Sequence, residues 1–267
     1  MKPLIFTFML LTILVSCKDK KADTKMPAND ETEVPTKVVK SNYPEVMTSI
    51  FDAHGGLDNW KKMHTLEFTM AKPDGNEITT TDLQERYALV EMPKHTIGFD
   101  GQSVWMKNKD AAKYDGNPKF YYNLMFYFYA MPFVLADDGI IYSDAKPLVF
   151  EGKTYPGVKI SYNNGVGASS NDEYVLYYDA DTHKMAWLSY TVTYFSKEKS
   201  KEFHYIKYSD WQDVEGLLLP KTITWYNVEN NLPTTKRNDV TFDNIVLTTD
   251  SMNFRMYMMP EGAEEIQ

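Results

Sequence analysis

Near His64 the hydropathy of this chain changes period, and that change sets the class of fold open to it. Before it, Val46, Met47, Ile50 and Phe51 recur at helical spacing, with Asn42 as the expected cap, Pro44 in the first turn and Gly55-Gly56 as the stop. Asp58 is expected to cap a short second turn that carries Trp60. After it, Leu66, Phe68 and Met70 alternate with Thr65, Glu67 and Thr69, which is the period of a strand with one buried face.

The same grammar continues for most of the chain. Pro73-Asp74-Gly75-Asn76 turns into a strand that ends near Val90, and Asp100-Gly101 separates strands around His95 to Phe99 and Gln102 to Lys107. Further strands are expected around 148–150, 155–162, 173–178, 184–194, 202–211, 219–228 and 237–247, parted by Gly, Asn, Asp, Pro and Lys clusters. Roughly ten or eleven antiparallel strands result, and 19 Tyr, 14 Phe and five Trp suit a pleated, half-buried surface. The single cysteine leaves the domain without a disulfide.

One segment breaks the pattern. Residues 118–135, from Pro118 to Leu135, are apolar on every side, with Asn117 placed to cap and Pro118 at the first helical position. Pro132 and four tyrosines within a stretch too short to cross a bilayer argue against a membrane span. The expectation is a helix packed against the concave face of a curved sheet, with Leu124, Phe126, Phe128, Met131 and Phe133 as candidate walls of a ligand cavity. The same residues also read as ordinary core, and the two readings are compatible.

The first residues belong to another system. Lys2 precedes a continuous apolar run from Leu4 to Val15, then Leu14-Val15-Ser16-Cys17 followed by Lys18, Asp19, Lys20 and Lys21. This is the order of a secretory signal peptide, and its last four residues resemble the bacterial lipobox, which implies cleavage before Cys17 and a lipid on its thiol. Each buried methylene of an acyl chain contributes about 0.8 kcal/mol, so two or three chains hold a protein on a membrane. Residues 1–16 are therefore expected as signal peptide, 17–40 as lipidated cysteine and polar tether, 41–259 as one β domain and 260–267 as a tail. The tether of about 20 residues spans several tens of ångströms when extended.

The formal charge is −9, and removing residues 1–16, which hold Lys2 and no acid, makes it −10. Together with a sequence pI near 5.1 and no basic stripe, this argues against nucleic acid as a partner. The five histidines show no i, i+4 pair and no neighbouring cysteine, so no metal site is expected. Gly165 to Ser170 lacks the last glycine of a dinucleotide loop, Gly101 to Trp105 lacks the second glycine of a nucleophile elbow, and Asp179-Ala180-Asp181 lacks the glycine of a calcium loop. No cofactor and no catalytic group is expected. Glu67 with Glu85, on neighbouring strands, is the first pair to test if the chain were a hydrolase.

Several pieces, in order, resemble the LolA/LolB-like superfamily of envelope lipoprotein carriers: His54-Gly55-Gly56 with Trp60, Asp100-Gly101-Gln102-Ser103-Val104-Trp105, Tyr178 to Lys184, and Trp211 to Pro220. The resemblance spans most of residues 43–250. It implies a strongly curved antiparallel sheet, an unclosed half-barrel with helices at its mouth, and an apolar cavity able to hold acyl chains. The functional expectation is a non-enzymatic, monomeric lipoprotein of a Gram-negative-type cell envelope, anchored at the outer membrane and binding a lipid, another hydrophobic ligand or a lipidated partner. A module binding protein or glycan through its outer aromatic face is the alternative reading, and a hydrolase the third.

Overall fold

The computed structural model describes residues 42–163, 171–196 and 198–267; Cys17 and the Gly165 to Ser170 loop lie outside them. The chain opens with helix α1 (Glu45–Ala53) and the single turn α2 (Leu57–Trp60). Pro44, not Asn42, occupies the cap position of α1, and Gly56, not Asp58, that of α2. Asp58 instead lies inside the first turn of α2, where its charge meets the positive end of the turn.

Thirteen strands follow in one antiparallel sheet, ordered β13-β5-β4-β3-β2-β1-β12-β11-β10-β9-β8-β7-β6. The first half holds β1 (Thr65–Lys72), β2 (Gly75–Asp82), β3 (Ala88–Glu91), β4 (His95–Phe99) and β5 (Val104–Asn108). The second holds β6 (Ile140–Phe150), β7 (Lys153–Tyr162), β8 (Tyr174–Tyr178), β9 (Met185–Tyr190), β10 (His204–Val214), β11 (Leu217–Glu229) and β12 (Leu232–Thr248). β13 (Glu264–Glu265) returns to pair Glu264 with Met106 of β5. The halves join where β1 pairs with β12, Leu66 facing Leu247. The sheet does not close, so it forms the half-barrel the sequence leads one to expect.

Two strands exceed the expected count. The strand read as running to Val90 is two, because Leu83 to Tyr87 turn back on themselves: Asp82 accepts the amides of Gln84 and Glu85 through Oδ1, and Arg86 sits in the left-handed region. Glu85 is therefore in a turn and not on a strand beside Glu67, whose carboxylate accepts instead from Thr80 Oγ1 at 2.9 Å. Asp100 and Asp179 organise their turns as Asp82 does, each accepting two main-chain amides through Oδ1. The calcium-like run at Asp179 is thus an aspartate turn, tied also to Lys153.

One face of the sheet carries the main core. Leu66, Phe68 and Met70 of β1, Ile160, Leu176, Leu188, Ile206, Ile223 and Phe242 gather with Met47, Ile50 and Phe51 of α1 and with Trp60. The docking of α1 is close. The left-handed Gly55 brings its main chain so near the β10–β11 turn that a Cβ would stand 2.1 Å from the Gly216 carbonyl oxygen. Leu218 donates its amide to His54 O at 2.9 Å, and Asn59 donates to Glu215 O at 3.1 Å. His54 ends α1 as expected and lies fully buried, its Nδ1 2.7 Å from Ile50 O and its Nε2 accepting the Met185 amide at 3.3 Å. Burial lowers its pKa to about 4.

On the opposite face, Tyr155, Tyr177, Trp187 and Tyr205 form a separate buried cluster with Phe150 and Tyr226 packed against it. Trp187 is 0% exposed, so these outer aromatic residues are used internally and do not form an open platform. A smaller outer cluster holds Trp105, whose Nε1 donates to Tyr257 O at 2.7 Å.

Candidate functional site

The apolar segment is not one helix. Asn117 caps it as expected, accepting the Phe120 amide at 3.1 Å, and Pro118 opens α3 (Pro118–Tyr121). Asn123 then leaves the helical region, α4 (Leu124–Tyr129) makes little more than one turn, and a 3-10 turn (Phe133–Ala136) completes the path to β6. Pro132, which lacks an amide, stands between the last two. Among the described residues no helix is long and apolar enough to cross a membrane.

Breaking a helix leaves carbonyls without partners, and tyrosines supply them. Tyr208 of β10 donates to Phe128 O at 2.9 Å, Tyr43 donates to Ala136 O at 3.2 Å, and Tyr142 of β6 donates to Leu135 O. Tyr121 is held by both carboxylate oxygens of buried Glu77, at 2.8 and 3.0 Å, which fixes α3 to β2. Burial raises the pKa of Glu77 against the opposing effects of Lys72 and the Tyr121 hydrogen bond.

The segment has two sides. Toward the core, Phe126 (2% exposed) and Phe133 (1% exposed) are enclosed. Phe133 stacks on Trp60 at 4.8 Å between ring centres and borders a small cleft of about 280 Å³. Toward the other side, Leu124, Phe128 and Met131 line a cavity of about 570 Å³, faced by Tyr162 of β7 and Tyr174 of β8. Of the five expected wall residues, three thus border the larger cavity, Phe133 borders the cleft, and Phe126 packs within the core.

Several polar groups at this cavity gave no local signal in the sequence. Tyr122, Tyr127, Tyr162 and Tyr174 line it, and their hydroxyls make no hydrogen bond with any described residue. Burial pushes all four phenols above the ordinary tyrosine range, so each stays protonated at neutral pH. Asp138 and Lys119 stand on the lining, as does Asp172, which accepts from the Thr193 amide and hydroxyl at 2.6 and 2.8 Å. Asp137 borders both hollows and pairs with Arg86 at 2.6 Å. Burial raises its pKa, partly offset by the Arg86 charge and hydrogen bond. The Arg86 guanidinium also lies 5.2 Å over the Phe126 ring. Among the described residues no group of three or more His, Cys, Asp or Glu side chains is arranged to hold a metal ion.

No protein-family model matches the chain, and no curated protein matches it significantly. Solved structures do show similarity. A LolA superfamily protein from Nitrosomonas europaea is 7% identical over 73% of this chain and 88% of its own, with a TM-score of 0.43. A putative outer membrane lipoprotein-sorting protein domain from Vibrio parahaemolyticus is 7% identical over 74% of this chain and 94% of its own, with a TM-score of 0.40. A DUF1329 family protein from Desulfovibrio piger is 10% identical over 76% and 93%, with a TM-score of 0.43.

Proposed function

We propose that this protein is a non-enzymatic lipoprotein of the cell envelope that binds a lipid, another hydrophobic ligand or a lipidated partner in the cavity between the broken apolar segment and β7–β8. The observation that carries the reading is the hollow of about 570 Å³ with Leu124, Phe128 and Met131 on its wall. That volume lies within the range of about 300–1,000 Å³ common to small-molecule sites, and apolar walls with few polar groups are their usual make-up.

The test is direct. Freshly purified full chain is extracted with organic solvent for mass spectrometry, and titrated with a fluorescent acyl-chain probe. Extractable lipid or saturable binding of one probe per chain supports the reading. Leu124→Asp places a carboxylate on a half-exposed wall position and is expected to weaken probe binding at least about tenfold, because a charge facing an acyl chain loses hydration without a partner. A folded protein that yields no lipid and binds no probe removes the cavity reading.

The same proposal holds that the chain is a monomer anchored through Cys17, at the outer membrane of a Gram-negative-type envelope. Cys17→Ser is expected to leave an uncleaved precursor that takes up no labelled fatty acid. Continued acyl labelling of that variant would place the anchor elsewhere.

A further inference from the structure

The hollow between the broken segment and β7–β8 has a size as well as a lining, and size decides how many hydrocarbon chains it admits. A methylene packed at liquid density takes about the room of a water molecule, about 30 Å³. At that rate a chain of about 16 carbons needs about 480 Å³, two such chains about 960 Å³ and three about 1,400 Å³. The hollow measures about 570 Å³. One chain fills it, and a second has no room.

That limit requires walls that stay in place, and these walls are tied. Toward the core, Phe128 packs on Tyr190 at 4.9 Å and on Trp225 at 5.9 Å between ring centres, which backs the hollow with ring against ring. Toward the smaller cleft, Asp137 borders both hollows and is held by Arg86 at 2.6 Å, while Phe133 on the cleft side stacks on Trp60. The segment is bound to the frame along its length. Tyr121 donates to Glu77, and Tyr208, Tyr142 and Tyr43 donate to the carbonyls of Phe128, Leu135 and Ala136. Swinging the segment outward to admit more chains would take the donors from these carbonyls and from Glu77, and buried acceptors left unpaired are costly.

We propose that the cavity takes one single-chain amphiphile, a fatty acid or a lysolipid, whose chain of about 16 to 18 carbons lies against Leu124, Phe128 and Met131. Diacyl lipids and the two- or three-chain anchors of lipidated proteins are excluded by volume. The inference rests on the hydrophobic-ligand reading above and narrows it to one class.

The experiment loads the full chain with a fluorescent acyl-chain probe and displaces it with competitors delivered from cyclodextrin, compared at equal free concentration. The competitors are saturated fatty acids and lysophosphatidylcholines of graded chain length, dipalmitoyl phosphatidylcholine and a tripalmitoylated lipopeptide. Within each single-chain series affinity is expected to rise about two- to fourfold per methylene and to level off near about 16 to 18 carbons, where the hollow is full. The series that binds tighter identifies the head. The diacyl lipid and the lipopeptide are expected to bind at least about tenfold more weakly than the lysolipid with one palmitoyl chain, since they overfill the hollow. Because any apolar surface favours longer chains, the deciding variant is Leu124→Trp, which adds volume at a half-buried wall position. It is expected to move the plateau to chains about two carbons shorter, with circular dichroism confirming the fold. A plateau unmoved by Leu124→Trp in a folded protein overturns the proposal, as does affinity that keeps rising with chain length. Binding of the diacyl lipid or the lipopeptide as tight as that of the lysolipid overturns the single-chain limit and leaves the hydrophobic cavity standing. Binding of none overturns both.

Discussion

The tyrosines around the broken segment fall into two groups that differ in what their hydroxyls do. Tyr43, Tyr142 and Tyr208 donate to carbonyls that the broken helix exposes, and so hold the segment to the frame. Tyr122, Tyr127, Tyr162 and Tyr174 spend no hydrogen bond on any described residue and face the cavity. The same residue type thus serves architecture on one side and presents unused chemistry on the other. The core side follows the pattern of the α1 joint, where His54, Asn59 and the Gly55 main chain each meet a partner.

This contrast is broken most strongly at the joint. Gly55→Ala combines a left-handed backbone with a Cβ 2.1 Å from a carbonyl oxygen, and is expected to cost about 3–5 kcal/mol in urea unfolding. An effect below about 1 kcal/mol would show that α1 does not depend on this approach. Phe133→Ala, on the core side, is expected to cost about 3–5 kcal/mol, whereas Leu124→Ala, on the cavity side, should cost less than about 1.5. Equal losses would erase the distinction between the two sides.

His54 gives the comparison a pH axis. Its folded pKa, about 4, lies below the ordinary 6.5, so the unfolded chain takes up the proton first as pH falls. Stability linked to this group is complete above pH 6.5 and is lost between 6.5 and about 4, on the order of 3 kcal/mol in all. Unfolding free energy measured across that window should therefore fall more steeply in the wild type than in His54→Asn. Parallel curves would mean that His54 is protonated in the fold.

The finest test compares two hydroxyls. Tyr208→Phe removes a buried donor from Phe128 O and should cost about 1–1.5 kcal/mol, leaving that carbonyl unpaired. Tyr162→Phe removes a hydroxyl with no described partner and should change thermal stability by less than about 0.5 kcal/mol.

The strands, the Asp-centred turns and the Asn117-Pro118 start were legible because each has a local cause: alternation, an aspartate accepting two amides, a capping side chain. The half-barrel was legible through the order of these pieces. What was not legible is which way each residue of 118–135 points. A stretch apolar on all sides has no periodicity to orient it, so Phe126 and Leu124 look alike in the sequence and differ only once Asn123 and Pro132 break the path. The cavity tyrosines escaped notice because Tyr162 and Tyr174 lie on separate strands, where each is an ordinary half-buried aromatic. The last strand escaped because Glu264–Glu265 carries no apolar residue and exists through its main-chain pairing to β5.

An unclosed sheet has two rims, and a rim of unpaired amides and carbonyls is a template on which further chains grow. At one rim β13 is two residues long, too short to seed a partner. At the other, the pairing of β6 with β7 shifts between Ala145 and Leu148, and the residues set out of register are Lys146 and Pro147. A proline offers no amide to an incoming strand and a lysine resists being covered. The chain therefore keeps the opening of a half-barrel without the habit of lateral polymerisation that a flat, fully bonded rim would bring.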